Sequence, residues 1–250
     1  MSPGIKLHDI GLSYASKPLF SRLNAHFKGG IWHSILGRSG VGKSSLLQSV
    51  AGLLSSTTLS GDVGADDGQP LSGRVAWMGQ RDALLPWLSV QENILLGSRL
   101  RKQRSEHSLA RAHEMLSLVG LSGLELALPE QLSGGQRQRV ALARTLMENQ
   151  PIVLMDEPFS ALDAITRLQL QDLAATLLHD KTVLLITHDP LEALRLSDQV
   201  WVMTERPVIL KMMLSIDTPA PRALDDTRIL SWQGQLLAYL QKDQEAPAST

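Results

Sequence analysis

Three short stretches of this sequence carry residue types at spacings that handle phosphate. In Gly37-Arg38-Ser39-Gly40-Val41-Gly42-Lys43-Ser44, two glycines with four residues between them precede a lysine and a hydroxyl residue, the pattern of a phosphate-cradling turn. The glycines let the backbone curl with its N–H groups inward, and a helix opening at Lys43 adds its positive dipole end. Lys43 brings a full charge to the β and γ phosphates of a nucleotide, and the hydroxyl of Ser44 can ligate Mg²⁺. The second stretch, Ile152-Val153-Leu154-Met155-Asp156-Glu157, is an apolar run ending in two acids. A strand's C-terminal edge would deliver both to a nucleotide: Asp156 to hold Mg²⁺, Glu157 to orient and polarise an attacking water as a general base. The third, Leu132-Ser133-Gly134-Gly135-Gln136, sets a Ser-Gly-Gly turn ahead of a helix and makes a second anion-binding helix end, this one without a lysine.

The elements around these stretches have the order such a site needs. Strand-like pieces at Ile5 to Tyr14, Phe20 to Phe27 and Ile31 to Leu36 give a β-rich start, with turn residues at Ser16-Lys17-Pro18 and Gly29-Gly30. A helix is expected from Lys43 to about Leu53. Residues 55 to 73, rich in Ser, Thr, Gly and Asp, read as a loop or exposed hairpin, and Arg74 to Met78 as a strand ending near Gln80. From about Ala83 to Asn149 the patterning is helical almost throughout, with Leu109, Ala112, Leu116 and Val119 on one face. Strand and helix then alternate through Ile152 to Met155, Thr166 to His179, Thr182 to Thr187, Pro190 to Leu196 and Gln199 to Met203, which is α/β order with a parallel sheet. The stretch Val208 to Ser215, an amphipathic helix over about Asp226 to Gln241 and a polar tail follow.

Composition narrows the setting. Among 250 residues, 24 Lys and Arg balance 25 Asp and Glu for a net charge of −1, so no bulk basic field calls for nucleic acid as a partner. Cysteine is absent, which removes disulfides and thiolate chemistry and suits a reducing compartment. No apolar run approaches the roughly 18 to 20 residues of a membrane span, and the first residues show no export signal. His33, His107 and His113 read as ordinary structural or surface histidines. Leu59-Ser60-Gly61, Leu71-Ser72-Gly73 and Leu121-Ser122-Gly123 echo the third stretch only as turns, without its second glycine and glutamine.

With two phosphate-binding devices in one chain, the sequence resembles the ABC ATPase family, whose signature motif reads Leu-Ser-Gly-Gly-Gln. The family's other elements occur in order over nearly the whole chain. Gln80 matches the Q-loop glutamine that senses Mg²⁺ and the membrane partner. Ser160-Ala161-Leu162-Asp163 matches the D-loop, which crosses a dimer interface. His188 matches the switch histidine that contacts the γ-phosphate, and Tyr14 the aromatic that stacks on adenine.

The resemblance implies an α/β fold: a P-loop NTPase (RecA-like) core with an N-terminal antiparallel β subdomain and an inserted α-helical subdomain. Residues 1–250 are then one ABC ATPase domain, with 1–82 and 150–250 as catalytic core and 83–149 as the helical subdomain carrying the signature. ATP and Mg²⁺ are the implied cofactors. Nucleotide binding falls to Tyr14, to Gly37, Arg38, Ser39, Gly40, Val41, Gly42, Lys43, Ser44 and Ser45, and to Ser133, Gly134, Gly135, Gln136 and Asp163. Metal binding falls to Ser44, Gln80 and Asp156, and catalysis to Glu157, His188, Lys43 and Gln80. The implied partners are a second copy acting in trans, integral membrane permease subunits and, indirectly, an extracytoplasmic substrate-binding protein. The chain is then cytoplasmic and peripheral on the inner face of the cell membrane.

Leu84-Leu85-Pro86-Trp87 beside Gln80 is similar to the nitrate, sulfonate and taurine branch of importer ATPases, which includes importers of thiamine-pyrimidine precursors. The C-terminal remainder is too short for the regulatory domain of some sugar and metal importers. Two other classes compete. An ABC ATPase of translation, DNA repair or cofactor assembly would bring tandem cassettes, coiled-coil inserts or basic surfaces. A small-molecule kinase would leave Leu132 to Gln136 and Asp163 without a role.

Overall fold

The protein is described from a computed structural model, which covers residues 1–14, 17–54, 59–204 and 208–245, without the side chains of residues 14, 17 and 242–245. Strands β1 (Ile5–Tyr14) and β2 (Lys17–Phe27) pair antiparallel, and β4 (Leu59–Ala65) joins the other side of β1. Ile5, Leu7, Ile10 and Leu12 of β1 are all buried. Their change of parity falls at a register shift where Asp9 has φ 51°, because a bulge resets which side chains face the core. β2 begins earlier than the Phe20 expected from sequence. As the outer strand of this sheet it tolerates Pro18, whose missing N–H leaves no central ladder bond unmade.

Over 59–65, β4 corrects the reading of residues 55 to 73 as loop or exposed hairpin, and of Leu59-Ser60-Gly61 as a turn; residues 55–58 lie outside the described residues. Its low strand propensity is overridden by main-chain pairing to β1. Gly61, at φ 81°, lies so close to the His8 and Asp9 carbonyls that a Cβ would collide with them.

The larger sheet has the order β5-β6-β7-β3-β8-β9. Its strands are β3 (Trp32–Gly37), β5 (Val75–Met78), β6 (Ile152–Asp156), β7 (Thr182–Ile186), β8 (Gln199–Thr204) and β9 (Ile209–Ser215). All are parallel except β9, which runs antiparallel along β8 at one edge. Every residue of β6 and β7 is buried, the state that unbroken apolar runs describe in a sheet covered on both faces.

Helix α1 (Lys43–Val50) is packed between the two sheets: Leu46, Leu47 and Val50 join Ile5, Phe27 and Ile35 in one core cluster. It stops short of Leu53, with Gly52 at φ 68° closing it. Helices α2 (Val90–Ile94), α3 (Leu96–Leu100), α4 (Glu106–Leu118) and α5 (Gly134–Met147) fill the insertion between β5 and β6, and pack through Ala112, Leu116 and Val140. Gly134 and Gly135 are the first residues of α5 rather than a turn ahead of it. Helices α6 (Ala164–Leu177) and α7 (Pro190–Leu196) follow β6 and β7, and α8 (Thr227–Glu245) packs on α7 through Ile229 and Leu236. This is the expected α/β P-loop NTPase core with its antiparallel β subdomain and helical insertion. No helix among the described residues is long and apolar enough to cross a membrane.

Candidate active site

β3 feeds the glycine-rich loop and α1 receives it. At Gly37 a Cβ would collide with the carbonyl of Met203 on β8, so the chain leaves the sheet there only without a side chain. Gly42 caps α1 with φ 111° and offers no side-chain cap, which leaves the helix end to accept an anion. Lys43 is 7% exposed, and its Nζ donates to the carbonyls of Gly37 at 2.7 Å and Arg38 at 2.8 Å. Burial pulls its pKa down, opposed by the charges of Glu157 and Asp156. Ser39, Gly40, Gly42, Lys43, Ser44 and Ser45 line a cleft of about 330 Å³ together with Leu19, Gln80 and Glu157. The side chain of Val41 points the other way, into the core. Gly37 and Arg38 line a neighbouring cavity with His188 and the α8 residues Leu237 and Leu240. Tyr14 ends β1, and its side chain lies outside the described residues.

The two acids end β6 differently. Asp156 is buried and hydrogen-bonded to the Ser44 side chain; burial is the main reason its pKa is raised. A hydroxyl and a buried carboxylate whose negative charge lacks full compensation form a hard-oxygen pair suited to Mg²⁺ beside phosphates. Among the described residues, no group of three or more His, Cys, Asp or Glu could hold a metal ion alone.

Glu157 stands beyond the strand at φ 50°, a setting that non-glycine residues seldom adopt. Its N–H donates to the Ile186 carbonyl at 2.9 Å, and its carboxylate projects between two partners. Gln80 Nε2 lies 3.4 Å from Oε2, and His188 Nδ1 lies 3.5 Å from the same oxygen. The structure thus brings Lys43, Ser44, Gln80, Asp156, Glu157 and His188 to one place: a cationic phosphate cradle, an oxygen pair for a cation, and a carboxylate able to take a proton.

The remaining expected residues lie elsewhere. Ser133 caps α5 in a reciprocal box: its Oγ accepts from the Gln136 N–H at 3.2 Å, and Gln136 Oε1 accepts from the Ser133 N–H at 2.8 Å. Asp163 caps α6, its Oδ1 accepting from the Thr166 N–H at 3.0 Å, which holds its carboxyl below the usual carboxylate range. None of Ser133, Gly134, Gly135, Gln136 and Asp163 lines the Lys43 cleft, and Ser133, Gly134 and Asp163 are exposed.

Several residues that shape the site escaped the sequence reading. Leu19 of β2 closes one wall of the cleft. Arg137 Nε pairs with Asp82 Oδ2 at 3.0 Å, and Arg144 donates to the carbonyls of Asp82 at 2.7 Å and Ala83 at 2.9 Å. These contacts lash the segment after Gln80 to α5. Arg137 and Arg144, on one face of α5 and turned toward this polar loop, leave no spacing signal, because their partners are far away in the chain.

Comparison with known proteins agrees with this geometry. The profile of the family described as "ABC transporter" matches residues 20–160. An "Aliphatic sulfonates import ATP-binding protein SsuB 1" of Rhodococcus jostii is 42% identical over 243 residues, covering 96% of this chain and 95% of that protein. An "Uncharacterized ABC transporter ATP-binding protein" of Haemophilus influenzae is also 42% identical, covering 96% of this chain and 100% of its own length. Among solved structures, the dimeric post-hydrolysis state of an ATP-binding cassette bound to ADP and Pi superposes with a TM-score of 0.75 at 28% identity, over 86% of this chain and 99% of that one.

Proposed function

The chain belongs to the ABC transporter family and is an ATP-binding ATPase, and on that premise we propose that it is the energy-coupling subunit of an importer that works as a head-to-tail homodimer. One observation carries this reading. Glu157 lines the Lys43 cleft and His188 stands beside it, whereas Ser133 and Gly134 at the start of α5 are exposed and line no part of that cleft. A second copy, turned head to tail, would set that helix end over the cleft, with Asp163 at the seam.

In this reading Lys43 exchanges its two loop carbonyls for phosphate oxygens, and Ser44, Asp156 and Gln80 would hold Mg²⁺. The ion supplies neutralisation of phosphate charge. Glu157 takes the proton of the attacking water, while Gln80 and His188 keep its carboxylate aimed and His188 reaches the γ-phosphate. Only a triphosphate meets Ser133 and the N–H groups at the start of α5, so ATP favours the closed dimer and ADP releases it.

The membrane partner is assigned to the surface beside Gln80. Trp87 is 71% exposed and Leu126 is 82% exposed, and their segments are joined by hydrogen bonds from Val90 N–H to Ala127 and from Gln91 N–H to Glu125. The loop bearing Trp87 is laced from inside by buried Asn93, whose amide bonds to Leu85, Leu88 and Ser89. A rigid, exposed apolar patch of this kind suits a permease helix. The names of relatives at 38% to 42% identity favour aliphatic sulfonates as cargo, within the wider nitrate, sulfonate, taurine and thiamine-precursor branch. Docking on the permease places the chain on the cytoplasmic face of the membrane.

Size-exclusion chromatography of Glu157→Gln with and without MgATP tests the dimer. An ATP-dependent shift from monomer to dimer, abolished by Ser133→Arg, is the expected result. A variant that binds ATP yet stays monomeric at high protein concentration would overturn the trans assignment of the Ser133 turn.

A further inference from the structure

Gln138 belongs to the first turns of α5 and is 7% exposed. Both ends of its amide are engaged by one loop. Nε2 donates to the Glu157 carbonyl at 3.1 Å, and Oε1 accepts the Ala161 N–H at 2.8 Å. These two groups begin and end the turn in which Glu157 holds φ 50°. Ser160 Oγ also donates to the Glu157 carbonyl, at 3.0 Å, but it belongs to the turn and moves with it. The Gln138 bonds come from another element and fix the turn from outside. Buried amide bonds of this sort set peptide planes, and here the plane they set carries the Glu157 side chain.

We infer that Gln138 is a positioning residue for the ATPase reaction: by pinning both ends of the 157–161 turn to α5, it keeps the Glu157 carboxylate between Gln80 and His188. The inference rests on the reading of Glu157 as the base. Its effect falls on turnover rather than on nucleotide affinity, because Gln138 lines no part of the Lys43 cleft.

The test is Gln138→Met in the full chain, which keeps the length and removes both bonds. Turnover at saturating MgATP falls about tenfold, in line with two buried hydrogen bonds, while the dissociation constant for ATP stays within about twofold. Amide exchange in a peptide covering 157–163 quickens, and a β6 peptide remains protected as proof of folding. Gln138→Glu keeps an acceptor for Ala161 and offers no donor to Glu157, so turnover falls while the Ala161 amide stays slow. Unchanged turnover in Gln138→Met, unchanged exchange over 157–163, or a loss of ATP affinity equal to the loss of turnover would each overturn the inference. Full turnover in Glu157→Gln would instead remove the base assignment, leaving the exchange result to stand by itself.

Discussion

Helices α1 and α5 both begin where a phosphate is expected, and they begin in opposite ways. α1 opens on Gly42, with no side-chain cap, and places a buried lysine at its first residue. α5 opens on Ser133, whose hydroxyl and Gln136 satisfy each other's backbone groups in a closed box. The first end is incomplete without a ligand, and Lys43 meanwhile leans on two carbonyls of its own loop. The second satisfies two of its backbone N–H groups, those of Ser133 and Gln136, with its own side chains. An uncapped end with a cation offers an anion more than a self-capped end without one. Under the proposed head-to-tail dimer, the difference would let a single chain load the α1 end and leave the α5 end to act across the seam.

Substitutions can break or sharpen this contrast, starting with the group that serves the α1 site. Glu157→Gln should lower steady-state ATP hydrolysis by about 10²- to 10⁴-fold, the range for loss of a general base, while equilibrium binding of a fluorescent ATP analogue is retained. Lys43→Ala should weaken that binding by about 10- to 100-fold, since a hydrogen bond to a charged group is worth about 1.5–3 kcal/mol. Equal affinity in wild type and Lys43→Ala would erase the distinction between the two helix ends. Ser133→Ala should leave monomer affinity for ATP unchanged and cost about 0.5–2 kcal/mol in denaturant unfolding through the lost cap. Weakened ATP binding by the isolated Ser133→Ala monomer would mean that α5 loads in cis.

The α1 site was legible in the sequence because its parts are contiguous. Gly37 to Ser44 and Ile152 to Glu157 each carry their chemistry within a few residues, and local spacing is what a sequence displays. Gln80 and His188 became legible through order along the chain and a family resemblance, and both reach the same oxygen of Glu157. β4 was hidden because Ser, Gly and Asp give it no strand pattern; pairing with β1 creates it. Gln138, Arg137 and Arg144 were hidden for a related reason. Each is an ordinary helix residue until the fold brings a distant segment against it, a main-chain carbonyl for Gln138 and Arg144 and the Asp82 carboxylate for Arg137.

The central position of β3 also sets a schedule for synthesis. Its neighbours are β7 and β8, which lie about 150 residues further along the chain. The glycine-rich loop is emitted early by the ribosome, but the sheet that gives it shape cannot close until Met203 is in place beside Gly37. Until then a nascent chain holds the whole phosphate motif without the neighbours that set its exit from the sheet.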